Sequence, residues 1–552
     1  MKTRFILAAL SVATALLGSA NAQHPPLADF GHECMKEDGV VATGSRRHLI
    51  ILLDDDKMGG DFPVDFGESY YQNLVFNALA TRTNIPPYSE IPPLAPPSPP
   101  GRAGSVNGFM IENSNGRFSI APAIGVAHSN GVIGPLVISN ADSDEIADNM
   151  IDRVVNGMTI SGDQTVQGRV ALDAAVQAGL VLADFDSNND GVVTPSELTL
   201  IIIKTRAVAG GTTGGENRGL NRIPPNQPNG GTTRYNGRIV GGLRDIDFAT
   251  LAHEISHTFG TNDIYSNGKR YLGNGVNFNF RHSLMGATIS TPHNPSSFHL
   301  DCWHKMTLGW CEPRVISMKQ GGVFTIPAAH LNNASAPLLL YHPDKGTQDY
   351  FMLEYRTSSV NAAHNYDAQL PASGIHLWHV QMSANFANLD DKRAINIPSP
   401  WPMTQLNGTV NGVAQYVPNN MLNAVWMEGP TNANGHPGIN GVWAGGTTSF
   451  YLRWNDGITS TCRFHVRPFL PSDQSVTVEI LAEHDTWVDL TYGGVETGEF
   501  NTPYNTMYEG VINAGWGGKL KCKGPRSGTL SIILDKPMTI TAEGGPVTIS
   551  EP

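Results

Sequence analysis

His253, Glu254 and His257 form the pattern His-Glu-x-x-His inside the segment Phe248 to Tyr265, FATLAHEISHTFGTNDIY. Two imidazoles four residues apart stand one turn apart on the same side of a helix, where they can hold one zinc ion. The carboxylate between them is then placed to polarise a water on the metal and take its proton. Gly260 follows at the position where glycine ends helices, and the reversal is expected to bring Asp263 back as a third ligand. Glu354, a distal carboxylate, is the competing candidate for that third place. In a chain of this composition His-Glu-x-x-His arises by chance about 0.02 times. With Gly260 and Asp263 at their offsets the figure falls to about one in ten thousand.

Position along the helix supports the same chemistry. Phe248, Leu251, Ala252, Ile255 and Phe259 recur at spacings of three and four, which predicts a helix over 247–259 with one apolar stripe and both histidines on the other side. Elsewhere, HLIILL (48–53) and LTLIIIK (198–204) read as buried strands, and 69–80, 142–156 and 165–183 read as helices. The proline-rich run 86–101 suits an exposed polyproline loop, and 210–235 reads as a loop rich in glycine and asparagine. After Pro313 the pattern changes to short alternating strands separated by Asn, Gly and Pro.

A second constellation is DSNNDGVVTPSE, 186–197. Asp186, Asn188 and Asp190 stand at positions one, three and five of an EF-hand-type loop, and Gly191 makes the turn at six. Val192 would give its carbonyl, Thr194 sits at nine, and Glu197 at twelve can bind with both oxygens. One isolated loop running straight into a buried strand predicts a structural calcium ion rather than a sensor. A solvated Asx-rich turn is the plainer alternative.

Composition narrows the class. With 49 acidic and 36 basic side chains in 552 residues the chain is acidic, which argues against a nucleic-acid binder. Lys2 and Arg4, an apolar stretch from Phe5 to Gly18, and Ala20-Asn21-Ala22 have the build of a secretory signal peptide over 1–22. No later stretch is long enough for a membrane span, so an exported protein without a transmembrane anchor is expected. Cys34, Cys302, Cys311, Cys462 and Cys522 are odd in number and lack Cys-x-x-Cys spacing. Cys462 with Cys522 is the expected bridge, and Cys34 is a candidate to cap a metal in a latent form. Asn333-Ala334-Ser335 and Asn407-Gly408-Thr409 are glycosylation sequons. His282, His293, His299 and His304 are read as loop or surface histidines, and Tyr265 as a packing residue.

The pattern of His253, Glu254, His257, Gly260, Asp263 and Tyr265 resembles the immune inhibitor A family of secreted zinc metallopeptidases. Ser283-Leu284-Met285-Gly286 is similar to that family's S-L-M-x segment, in which the Met would form a turn beneath the metal. HLDCWHKMTLGWCEP (299–313) is similar to its W-x-K-x-x-L-G-W-x-x-P segment, and FMLEYR (351–356) with LPASGIHLWHV (370–380) to its L-x-E-x-R and L-P-x-x-G-x-L-x-W-H-V block. GSVNGFMIENSNGRFSI (104–120) resembles its early segment. Thr261-Asn262 stands where the family commonly has Leu-Pro. The resemblance implies an α+β fold with a zincin-like metallopeptidase catalytic domain over 47–315, after an N-terminal segment 23–46. A β-rich accessory domain over 316–482 follows. Residues 483–552 form a small β tail resembling the start of a parallel β-helix. It further implies a secreted zinc endopeptidase acting on extracellular proteins or peptides, with Glu254 as general base, catalytic Zn2+ and structural Ca2+. An inactive relative acting as a binding or adhesion protein, and a calcium-stabilised surface-coat protein, are the rival expectations.

Overall fold

The computed structural model describes residues 24–54, 62, 67–77, 105–149, 153–155, 158–160, 165–205, 216–261, 283–285, 298–357, 366–367, 373–381, four short strands between 403 and 426, and 450–545, apart from positions 38, 127, 245, 247, 332, 454–458, 468, 471–472, 483, 525–532 and 535. The expected signal peptide, the proline-rich run, Asp263, Tyr265, His282, His293 and the Asn407 sequon lie outside these residues.

The long strand β1 (Gly44–Asp54) organises the first half. Its edge is shared in succession by two parallel strands, β2 (Phe118–Pro122) and β3 (Val132–Val137). A short antiparallel ribbon follows, β4 (Arg153–Val155) with β5 (Met158–Ile160). On the other side of β1 runs β7 (Thr199–Lys204), then β9 (Arg234–Leu243), with the two-residue strand β6 (Val192–Val193) beside the start of β9. All of these pairings within the main sheet are parallel; the edge strand β8 (Glu216–Arg222) alone runs antiparallel, against β9.

Helices cover both faces, which is why β1 and β7 read as unbroken apolar runs rather than alternating ones. On one face Leu49, Ile51, Leu200 and Ile202 pack against α4 (Thr165–Gln177) through Val166, Val170 and Leu172. On the other, Ile50, Leu52, Ile201 and Ile203 meet α1 (Glu68–Val75), α2 (Val106–Asn113), α5 (Phe248–His257) and α6 (Cys302–Thr307). The N-terminal segment belongs to this second core. Phe30 and Met35 are buried in it, and Glu33 and Met35 donate backbone hydrogen bonds to the carbonyls of Met306 and Thr307.

Four expected elements need correction. The helix expected over 142–156 is α3 (Asn140–Asn149), and the remainder is the β4–β5 ribbon. Asn156-Gly157 between the two strands is a hairpin signal that outranks the helical pattern. The helix α4 stops at Gln177 because Gly179 turns left-handed (φ 104°), and its successor Leu180 donates back to Ala175 in a closing turn. Part of the expected loop 210–235 is strand, at 216–222 and from 234 on: β8 has poor intrinsic propensity and is made by pairing with β9 along seven residues. The end of α1, at Val75, is also earlier than expected, and Asn107 Nδ2 donates to the Phe76 carbonyl at 3.0 Å just beyond it.

The second half is two sheets face to face. One orders β10 (Arg314–Ser317), β12 (Leu338–Tyr341), β13 (Asp349–Arg356), β14 (Gly374–Gln381) and β15 (Met403–Gln405), with β18 (Val425–Trp426) also paired to β14; β16 (Thr409–Val410) and β17 (Val413–Ala414) pair with each other. The other orders β11 (Gly322–Pro327), β21 (Ser475–Ala482), β20 (Thr459–Val466) and β19 (Phe450–Arg453). Leu338, Leu340, Phe351 and Leu353 point into the space between the sheets. Their alternates Leu339, Tyr350, Met352 and Trp378 point the other way, into the core around α5 and α6. The first sheet is therefore a wall whose strands β12, β13 and β14 contribute to the cores on both of its faces. The mixture of helix and sheet agrees with an α+β class.

The tail is a three-stranded parallel sheet of β22 (Asp485–Val488), β23 (Lys519–Lys523) and β24 (Thr539–Glu543), with α7 (Met507–Asn513) packed on it. Backbone bonds from Trp516 to Gln320 and from Ala482 to Trp516 hold it to the sandwich. The expected Cys462–Cys522 bridge is not formed: Cys462 lies in the sandwich core and Cys522 in the small tail cluster. Among the described residues no helix is long and apolar enough to cross a membrane.

His48 occupies a core position on β1, fully buried, with Nδ1 donating to the Arg46 carbonyl at 3.2 Å and Nε2 lacking a hydrogen-bond partner. Burial, reinforced by the Arg46 charge, lowers its pKa from 6.5 to about 4. Between those values the unfolded chain binds a proton that the folded chain refuses, so stability falls as pH drops from 6.5 towards 4, by about 3 kcal/mol from this residue. Urea unfolding at a series of pH values should show that loss, and His48→Leu should flatten it; an unchanged slope in the variant would assign the acid sensitivity elsewhere.

Candidate metal centre

Helix α5 is amphipathic in an unusual setting, because both of its faces are covered. Leu251, Ala252, Ile255 and Phe259 are buried in the main core as the stripe predicts. His253, on the opposite side, is also buried, whereas Glu254 and His257 are half-buried. The two imidazoles lie with centroids 4.8 Å apart and planes at 89°. The helix tightens into 3-10-type bonds at Thr258, Phe259 and Gly260, and Gly260 (φ 94°) reverses the chain.

The hydrogen bonds of the histidines determine their chemistry. His253 Nδ1 is 2.8 Å from the Leu284 carbonyl, and His257 Nδ1 is 2.8 Å from the Thr261 carbonyl. A carbonyl oxygen only accepts, so each Nδ1 carries the proton and each neutral ring has its lone pair on Nε2. That is the tautomer in which two histidines serve as metal ligands through Nε2, oriented by an outer partner. Thr261 reaches this position because the chain turns at Gly260. Its hydroxyl also lies 3.6 Å from Met285 Sδ, so Thr261 touches the same short segment that orients His253.

Beneath the pair lies a buried polar network that the spacing of residues did not disclose. His299 and His304, expected at the surface, are both fully buried. Lys305 Nζ donates to His299 Nδ1 at 3.0 Å, and His299 Nε2 donates to Glu112 at 2.6 Å. An imidazolium has no lone pair for Lys305, so His299 is neutral, in keeping with burial that holds its pKa well below the ordinary value. Burial pushes Glu112 well up. Arg356 grips Asp367 with Nε at 2.8 Å from Oδ2 and with its second nitrogen on Oδ1. Burial alone would raise Asp367; the Arg356 guanidinium and the His299 backbone N–H hold it well below the carboxylate range. Asp301 caps α6, accepting from His304 N at 2.9 Å, and also takes His304 Nδ1 at 2.7 Å and the Ser283 hydroxyl at 2.6 Å.

Glu354, the alternative third ligand, belongs to this network. It accepts from Trp378 Nε1 at 2.9 Å and the Cys302 N–H at 3.4 Å, with Arg356 at 3.9 Å. Among the described residues no group of three His, Cys, Asp or Glu side chains is arranged to hold a metal ion, so Glu354 does not join the histidine pair. Asp263 lies outside the described residues. Cys34 is exposed on the N-terminal segment and joins no such group either.

In the 186–197 loop the acidic groups turn inward on the backbone. Asp186 accepts from the N–H groups of Asp190 and Gly191 at 3.1 and 2.8 Å, and Asp190 from that of Val192 at 2.8 Å. Asn188 Oδ1 takes the Asp190 N–H at 3.0 Å. Glu197 spans the loop, with one oxygen on Ser187 and the other on Thr194. Partial burial would raise its pKa, but the bonds from Ser187 and Thr194 outweigh that and lower it. Gly191 (φ 82°) makes the bend at position six, and Asn189 is left-handed as well. These bonds are those of an Asx-rich turn: Asp186, Asp190 and Glu197 are not drawn together around a metal position, although the loop keeps the residue types of a calcium loop.

No family model matches the sequence, and no curated protein matches it. The chemistry of the site itself therefore has to support any functional reading. For the network, Asp367→Asn should cost about 3 kcal/mol of stability by leaving the Arg356 charge buried without its partner, readable as a lowered denaturation midpoint; a cost under about 1 kcal/mol would contradict the buried-pair description.

Proposed function

We propose that the chain is a secreted zinc-dependent endopeptidase of the immune inhibitor A type, with a zincin-like catalytic domain, that cleaves peptide bonds in extracellular proteins. The observation that carries this reading is the common tautomer of His253 and His257, each Nδ1 held by a backbone carbonyl so that Nε2 offers a lone pair. Glu254, between them and half-buried, supplies the carboxylate. When bound, a zinc ion acts as a Lewis acid that brings the pKa of a water towards neutrality. Glu254 accepts a proton from the attacking water and delivers it to the leaving amine nitrogen. His253 and His257 keep their rings fixed through this transfer because both Nδ1 atoms stay bonded. Asp263, which lies outside the described residues, would be the third ligand by its place in the sequence pattern. A structural calcium ion in the 186–197 loop would be held by Asp186, Asn188, Asp190, the Val192 carbonyl, Thr194 and Glu197, in exchange for their present bonds within the loop, and would stiffen the entry to β6 and β7.

The test is casein hydrolysis by the purified protein and by Glu254→Gln, with metal content determined on both. About one zinc and one calcium per chain in each, with hydrolysis reduced by a factor of about 100 to 10,000 only in the variant, is the expected outcome. Equal hydrolysis by both proteins would remove Glu254 as the base. Zinc in both with hydrolysis in neither would favour the inactive, extracellular binding relative.

A further inference from the structure

Both histidine carbonyl partners are backbone atoms, so their placement depends on whatever fixes the segments that carry them. Thr261 is fixed by the turn at Gly260, within the helix terminus itself. Leu284 is 31 residues from His253 in sequence and needs an anchor of its own. It has three. Its N–H donates to the His299 carbonyl at 3.1 Å; its neighbour Ser283 donates to Asp301 at 2.6 Å; its other neighbour, Met285, receives the Thr261 hydroxyl at 3.6 Å. Ser283, Leu284, Met285, Asp301 and His304 are all buried, and Asp301 is itself immobilised by the first turn of α6 and by His304.

From this geometry we infer that Ser283 and Asp301 are positioning residues for the metal centre: they lock the Leu284 carbonyl on His253 and thereby hold Nε2 of that ring in its ligand orientation. Asp301 is suited to the task because it reaches two things at once, the N-terminus of α6 and the Ser283 hydroxyl. Burial would raise its pKa, but His304 and the Ser283 hydroxyl hold it down, so it remains an acceptor. The Met285–Thr261 contact ties the two carbonyls together, so that the outer supports of His253 and His257 move as one piece. This inference rests on the zinc reading proposed above and adds to it the residues that set the metal affinity.

The experiment is a zinc titration in competition with a chromogenic chelator, on the whole protein, its Ser283→Ala variant and the isosteric Thr261→Val variant, each paired with the melting temperature of the metal-free form. The positioning role requires Ser283→Ala to bind zinc about tenfold more weakly and Thr261→Val about threefold more weakly, with zinc release accelerated in step. Asp301→Asn, with Ser283 in place, still caps α6 through Oδ1 and can donate from Nδ2 to the Ser283 oxygen, so it should keep zinc affinity within about threefold of the parent. If Ser283→Ala lowers only the melting temperature, with zinc affinity within twofold of the parent, then Ser283 serves the α6 cap alone and the inference is overturned. Should Ser283→Ala not fold, Thr261→Val decides by the same readout. A parent protein that binds no zinc overturns the metal reading and this inference together, whereas tight zinc binding by parent and variants alike overturns only the inference.

Discussion

A neutral imidazole has one N–H and one lone pair, and the partner of one nitrogen decides what the other can do. In this protein that choice is made twice by backbone carbonyls, at Leu284 for His253 and at Thr261 for His257. Everything around α5 can be understood as holding those two oxygens still. The sheet β2-β1-β7-β9 supports the apolar side of the helix, and the N-terminal segment braces α6 from behind. Segment 283–285 lies against His253 and Thr261 on the other side. Packed in this way, with each Nδ1 bonded to a carbonyl, the helix presents its histidines in defined orientations, as a metal site of fixed geometry requires.

The buried ionic network explains why the second half of the chain cannot be separated from the first. β13 sends Phe351, Leu353 and Tyr355 into the sandwich, and Met352 and Glu354 into the core beside α6. Arg356, at the end of the same strand, pairs with Asp367, and Asp367 takes the backbone N–H of His299. His299 in turn receives Leu284 on its carbonyl. A charged cluster of this size is costly to bury and contributes less to net stability than to the choice of one arrangement. Here the arrangement it selects places the sandwich wall, α6 and the segment beneath His253 in a single register.

Much of the site's scaffold was legible in the sequence because it follows local periodicity. The stripe at 251, 252, 255 and 259 and the glycine at 260 specify α5 and its end, and the unbroken apolar runs specify β1 and β7. What could not be read depends on partners distant in the chain. β8 is a strand only because β9 offers it a ladder, and His299 is buried only because Glu112, 187 residues away, accepts from it. Glu354 illustrates the same limit: a carboxylate among conspicuous motif residues looked like a ligand, and its actual bonds go to Trp378 and Cys302. Carbonyl oxygens leave no trace in residue types, so the supports at Leu284 and Thr261 were invisible, although the Ser-Leu-Met segment that carries one of them was not.

The central claim is that His253 and His257 present Nε2 to one zinc ion. Diffraction from crystals grown with zinc, measured on both sides of the zinc absorption edge, tests it without reference to activity. The account predicts one strong anomalous peak about 2.0–2.1 Å from both Nε2 atoms, with both Nδ1–carbonyl bonds intact. An empty site between the two rings in crystals that bind zinc elsewhere, or a peak on Nδ1 with either carbonyl bond broken, would contradict it.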